Sequence, residues 1–150
     1  MKAVDSETLQ NLTQEVLGNM AFMFIEPAEE SGDFGESLAA CVEFQSPDGT
    51  ESLILQGSPA FLTDLASGLL GLEADEVDEN VEGLHSLKEI ANVLAGELIR
   101  ELGGEHAQFS LGIPYVLDDS QGGSQSEGVV CDFDAMGTAF RARFVHQPNA

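Results

Sequence analysis

The stretch LHSLKEIANVLAGEL, residues 84–98, reads as one helix with two unlike stripes. At about 100° per residue, Leu84, Leu87, Ala91, Leu94, Ala95 and Leu98 fall together, the pattern of a helix laid on a core. His85, Glu89, Asn92 and Gly96 follow at i, i+4, i+7 and i+11. They form a second stripe, within roughly 60° of arc and more than a quarter-turn from the first. Glu89 and Asn92 stand only about 4.5 Å apart along the axis, so both side chains can reach one foreign group. Gly96 weakens such a helix by roughly 1 kcal/mol relative to alanine. It also leaves room beside the polar pair for another molecule.

Working outward, the acidic segment EADEVDEN leads into this helix, which is expected over about residues 78–102. Its carboxylates favour the positive end of the helix dipole, and Gly103-Gly104 stops the helix. Upstream, Ser58-Pro59 is a helix start, a cap residue followed by proline at the first helical position. That helix, PAFLTDLASGLL, ends near Gly71. Before it, LAACVEF and ESLILQG flank SPDGT and read as a β-hairpin with a Pro-Asp-Gly turn. At the amino end, Ser6 can cap a helix over about residues 6–22, with Leu9, Leu12, Val16, Leu17 and Met20 on one face. EPAEESGDFGES, which follows, reads as a polar loop.

The last third reads as β. FSLGIPYVL is one strand, and Pro114 inside it marks an edge, a bulge or a strand end, because proline cannot donate to a ladder. DDSQGGSQSEG is a polar loop without catalytic spacing. VVCDFDAMGTAFRARFV then turns at Met136-Gly137. In that register Phe133 faces Phe140, Cys131 faces Ala142 and Val129 faces Phe144, while Asp132 sits beside Arg141 on the other side. Arg100, Arg141 and Arg143 are expected to pair with acids at the surface. The element order predicts an α+β fold, a mostly antiparallel sheet with helices packed on one face. A single domain over residues 1–150 is expected from the length.

Composition narrows the classes. With 43% hydrophobic residues the chain can build a core, and folding at this size buries roughly two-thirds of the surface. The net charge is −22, from 27 acids against 5 Lys and Arg. Nucleic acid and anionic membrane would both be repelled, so neither is an expected partner. No run of about 18 apolar residues occurs, and MKAVDSETLQ lacks the apolar core of a signal peptide, so the expected location is the cytoplasm. Cys41 and Cys131 lie in apolar runs at no metal-binding spacing and read as buried, reduced thiols.

Several chemistries lack support. There is no G-x-S-x-G, no P-loop and no G-x-G-x-x-G. His85 and Glu89 could share a cation, but a site needs a third ligand that the pattern does not offer. A merely solvated helix face remains the plain alternative for the polar stripe. There is also a faint internal echo, since Gln14-Glu15-Val16 parallels Lys88-Glu89-Ile90, with Asn19 four residues past Glu15 instead of three.

With these residues in hand, LHSLKEIANVLAGEL resembles the helix signature of the CheC/CheX/FliY chemotaxis phosphatases, E-x-x-N followed by a glycine. SPAFLTDLASGLLGL, residues 58–72, resembles that family's preceding helix, and LGIP, residues 111–114, resembles its proline-bearing strand. The likeness spans roughly residues 6–146, and one Glu–Asn pair instead of two makes it similar to the CheX branch. One departure is His85, where the family often has Asp or Ser.

The resemblance implies a phosphatase acting on the phosphoaspartate of a CheY-like response regulator. Glu89 and Asn92 would be the catalytic pair on an inserted helix, with His85 and Gly96 touching the partner. No cofactor or metal of the chain's own is implied, because the receiver carries the Mg²⁺. Homodimerisation through a strand edge is implied too. The alternative is a non-catalytic receiver-binding module or dimeric adaptor of a chemotaxis or other two-component system.

Overall fold

The computed structural model describes residues 4–28, 37–47, 49–103, 110–117 and 128–148. The first helix, α1, spans Ser6–Ala21. Its cap is Asp5, not Ser6: the Asp5 carboxylate accepts the Thr8 N–H at 2.8 Å, satisfying one of the open donors of the first turn. Phe22 closes the helix in the left-handed conformation. A short strand, β1, follows at Glu26–Pro27. The sequence pattern predicts a loop at these two residues. Glu and Pro are weak strand formers, and their pairing with a distant strand makes them β.

Two nine-residue strands, β2 (Leu38–Ser46) and β3 (Gly49–Gly57), form the expected hairpin. Asp48 of its turn lies outside the described residues. Helix α2 spans Pro59–Leu70, with the Ser58 hydroxyl accepting the Phe61 N–H and Gly71 closing it in the left-handed region. A 3-10 turn (Ala74–Glu76) and a π-helical turn (Glu79–Gly83) lead into α3, Leu84–Gly103. Gly104 lies outside the described residues. The single strand expected around Pro114 is two, β4 (Ser110–Leu111) and β5 (Tyr115–Leu117), parted by residues 112–114. The missing proline donor interrupts the ladder there. Both short strands pair with β2, and the Tyr115 hydroxyl donates to Glu43 at 2.6 Å. The loop after Leu117, residues 118–127, is outside the described residues. The last hairpin joins β6 (Val129–Ala135) to β7 (Thr138–Pro148).

These strands form one antiparallel sheet in the order β1-β6-β7-β3-β2-β4, with β5 also on β2. The β6–β7 register pairs Phe133 with Phe140, Cys131 with Ala142 and Val129 with Phe144, as the sequence predicts. Asp132 and Arg141 meet at 2.7 Å on the opposite face. Alternation then sorts the sheet. Ala40, Val42, Phe44, Leu53, Leu55, Phe133, Phe140 and Ala142 point to one side and join the helices in a common core. Phe61 of α2 stacks on Phe140 with ring centroids 4.4 Å apart, which fixes the helical layer over the centre of the sheet.

Two charged residues break the expected surface pattern. Glu51 is 2% exposed at the core-side end of β3, where its carboxylate meets the His146 ring and accepts the Ser46 hydroxyl. Arg143, on the other face, is 4% exposed, and its Nε and Nη1 lack a hydrogen-bond partner. Burial, and then the neighbouring Arg141, push its pKa below the ordinary arginine range. Arg141 and Arg100 do pair with acids, Asp132 and Glu97, but Arg143 does not follow the surface-pairing expectation. A β-strand alternates faces regardless of charge, so two arginines at i and i+2 are delivered to the same side.

Helices α1 and α2 approach closely where α1 ends. A Cβ added to Gly68 of α2 would run into the carbonyl oxygen and carbon of Ala21. Because that obstacle is backbone, Gly68→Ala should destabilise the fold by about 1–3 kcal/mol, despite alanine's better helix propensity. Urea unfolding of the two proteins measures this; equal midpoints would mean that the α1–α2 approach is looser than described.

Candidate functional site

The site begins with how α3 is held. Asp78 caps the π-helical turn, its carboxylate accepting the Asn80 N–H at 2.9 Å while its carbonyl accepts the Gly83 N–H at 3.1 Å. Gly83 is buried against α2: a Cβ there would stand 3.0 Å from the Leu62 Cβ. The helix therefore leaves a wider turn whose inner side is pressed on α2, and this sets its phase.

That phase buries Ser86, Leu87, Ile90, Ala91, Leu94, Ala95 and Leu98 completely. The buried stripe is broader than the sequence indicated, since it gains Ser86 and Ile90 while Leu84 is only partly covered. Contact with both the sheet and the two other helices requires this width. On the outer side His85, Glu89 and Asn92 are exposed, and Gly96 is half-buried. A Cβ at Gly96 would meet nothing within 4 Å, so open space adjoins the polar pair. Among the described residues, none of His85, Glu89 and Asn92 is engaged in a hydrogen bond or ion pair. The four residues thus share one solvent-facing ridge, with no strand or helix among the described residues laid across them.

Two features around this ridge matter. Glu73, Asp75, Glu76 and Asp78 are exposed in the segment before the π-helical turn that leads into α3. The sequence reading assigned that segment only to the helix dipole. On α1, the echo residues Glu15 and Asn19 are exposed as well. At i and i+4 they lie on one face of that helix, though without the spacing of Glu89 and Asn92.

The chemistry open to the ridge is narrow. A carboxylate can pair with a cation, and a carboxamide can accept hydrogen bonds at its oxygen and donate two from its nitrogen. Neither is a strong nucleophile here. Cys41 and Cys131 are unpaired, buried thiols, and burial raises both pKa values, which keeps them protonated and unreactive. Among the described residues, no three His, Cys, Asp or Glu side chains converge to hold a metal ion. No described helix is long and apolar enough to cross a membrane.

Comparison with known proteins bears on what such a ridge belongs to. The family model for the chemotaxis phosphatase CheX matches residues 38–134, about two thirds of the chain, including α2 and α3. No curated protein sequence gives a match. Among solved structures, the chain is similar to a CheX from Desulfovibrio desulfuricans, at 16% identity and a TM-score of 0.69 over 95% of this chain and 98% of the other. It is similar to CheX from Vibrio vulnificus at 18% identity and TM-score 0.68, covering 91% and 93%. It is also similar to a chain of the CheX–CheY–BeF3–Mg²⁺ complex of Borrelia burgdorferi, at 17% identity and TM-score 0.70, covering 95% and 98%. At such identities the structures speak for a shared fold, and the family match supplies the rest: the chain belongs to the CheX chemotaxis phosphatase family.

Proposed function

We propose that this protein hydrolyses the phosphoaspartate of a CheY-like response regulator by inserting the outer ridge of α3 into the receiver's phosphorylation pocket. The observation that carries the reading is the joint exposure of Glu89 and Asn92, unengaged and on one ridge, in a CheX-family chain. The Borrelia protein of the same fold, found in complex with CheY, BeF3 and Mg²⁺, supports a receiver as the partner class. On this reading the protein works in the cytoplasm beside its receiver.

An acyl phosphate held by Mg²⁺ is already activated, and the receiver supplies both the aspartate and the metal. Catalysis then requires positioning more than new acid–base groups. The Asn92 carboxamide accepts a hydrogen bond from water and donates one to a phosphoryl oxygen, holding the water in line with the bond that breaks. Water oxygen bonds to phosphorus, the aspartyl carboxylate leaves with its electron pair, and the water's protons pass to phosphate and solvent. An amide cannot deprotonate water at neutral pH, so its contribution is orientation. Glu89 pairs with the receiver's lysine in a desolvated contact. Gly96 admits the receiver's surface, and His85 contacts it at the amino-terminal end of the ridge.

A homodimer through a strand edge is part of the same reading. It is favoured by the β4–β5 edge, which exposes Leu111, Ile113, Tyr115 and Val116, with Ile113 at 87%. The non-catalytic alternative, a receiver-binding adaptor, is favoured by His85 at a position where the family often has Asp or Ser.

Phosphate release from acetyl-phosphate-labelled receivers of the same genome separates these readings. Asn92→Ala should bind the phosphorylated receiver normally and lose hydrolysis by on the order of 100-fold. Glu89→Ala should weaken receiver binding by about 2 kcal/mol or more; unchanged affinity would remove the docking role of that carboxylate. An unmutated protein that binds without accelerating release is the adaptor. Gly96→Ala tests the close approach separately. It should stabilise the isolated protein by about 0.5–1 kcal/mol, since nothing obstructs the methyl group, yet reduce receiver affinity. Unchanged affinity in that variant would mean the partner keeps its distance from Gly96.

A further inference from the structure

Basic side chains are scarce in this chain, and most of those described are committed. Of the 5 Lys and Arg, set against 27 acids, Lys2 lies outside the described residues. Arg100 pairs with Glu97 at 3.3 Å and Arg141 with Asp132 at 2.7 Å. Arg143 is buried on the face of the sheet away from the helices. Lys88 of α3 is different: it is half-buried and engages in no hydrogen bond or ion pair among the described residues.

The sequence around Lys88 accounts for this. A lysine on a helix meets its neighbours at i±3 and i±4. Here those positions hold Leu84, His85, Ala91 and Asn92, none of them a carboxylate. In a chain with so many acids, the lysine on the site-bearing helix is left with its charge uncompensated.

Its place on the helix is specific. Lys88 stands one turn before Asn92, with Cβ atoms about 5–6 Å apart, on the flank between the ridge and the buried row. Helical side chains lean toward the amino end, so the Asn92 carboxamide lies over the turn that carries Lys88. A lysine has a flexible four-carbon stem and three donors at its tip. A group that meets the Asn92 amide is therefore within reach of the ammonium. Arg100 is two turns further on from Asn92, about 12 Å along the axis.

Docking also calls for a local cation. In the proposed reaction the ridge meets a phosphoryl dianion, and Glu89 brings a like charge to its side. An ammonium next to Asn92 offsets that repulsion, and lysine serves phosphate groups as a point charge.

We infer that the Lys88 ammonium contacts a phosphoryl oxygen of the docked receiver and so makes α3 prefer the phosphorylated receiver to the unphosphorylated one. This rests on the reading of the α3 ridge as a receiver-docking surface. The contact exists before and during transfer alike, so its contribution falls on binding and not on the chemical step.

Affinity measured for a CheY-like receiver of the same genome, loaded with BeF3 and Mg²⁺ or left unloaded, tests this. Lys88→Met keeps an apolar stem and a comparable helix propensity while removing the charge. It should bind the loaded receiver at least roughly tenfold more weakly, the loss expected for one charge-assisted hydrogen bond, and bind the unloaded receiver as the parent does. Lys88→Arg should restore most of the difference. On acetyl-phosphate-labelled receiver, Lys88→Met should raise KM about tenfold and leave kcat within about twofold. Arg100→Met removes a paired cation from the same helix and should change neither. Equal losses on loaded and unloaded receiver would give Lys88 a carboxylate partner on the receiver and overturn the phosphoryl contact. Unchanged affinity in Lys88→Met, or an equal loss in Arg100→Met, overturns it too. The affinity comparison does not require turnover: a parent that binds loaded receiver without releasing phosphate fails as a phosphatase, while the Lys88 contact is still decided.

Discussion

The burial of one side of α3 is the constraint on which the rest of the molecule depends. Leu87, Ile90, Leu94 and Leu98 are all removed from solvent, and each such side chain contributes roughly 1.5–3 kcal/mol when transferred from water. Rotating the helix by a single residue, about 100°, would expose this row and drive Glu89 or Asn92 into the core. The apolar row therefore determines where the polar ridge points. The π-helical turn and the seat of Gly83 on Leu62 set the same rotation from the amino-terminal end, so two independent contacts agree on one phase.

Much of this was legible in the sequence, for reasons that differ between elements. The β6–β7 hairpin was readable residue by residue, because alternation and a Met-Gly turn leave one register that sets Val129, Cys131 and Phe133 against Phe144, Ala142 and Phe140 on one face. The ridge of α3 was readable because helical spacing is a local property. What escaped is nonlocal. Glu26–Pro27 becomes a strand only by lying against Asp134 and Phe133, partners more than a hundred residues away. The choice of Asp5 over Ser6 as cap turned on a one-residue difference in where the helix begins, a boundary that composition does not resolve. The burial of Arg143 depends on what surrounds the far face of the sheet, which strand periodicity alone does not reveal.

The α3 ridge is polar and unstrained, with a glycine lowering its profile, as suits entry into a confined pocket. It belongs to a chain of net charge −22. Long-range attraction will therefore favour basic surfaces, while contacts with phosphorylated groups must rely on short-range hydrogen bonds and on cations close at hand.

Because the inner row of α3 and the turn before it secure the helix, its outward positions are left almost free of folding constraint. Residues such as His85 can be exchanged through evolutionary time without loss of the scaffold, so lineages can retune recognition one side chain at a time. Chains sharing fewer than one residue in five with this one nevertheless keep its architecture, as the Desulfovibrio, Vibrio and Borrelia structures do. Divergence in such a lineage should accumulate at outward positions that, like His85, flank the Glu89–Asn92 pair, and spare the row beneath it.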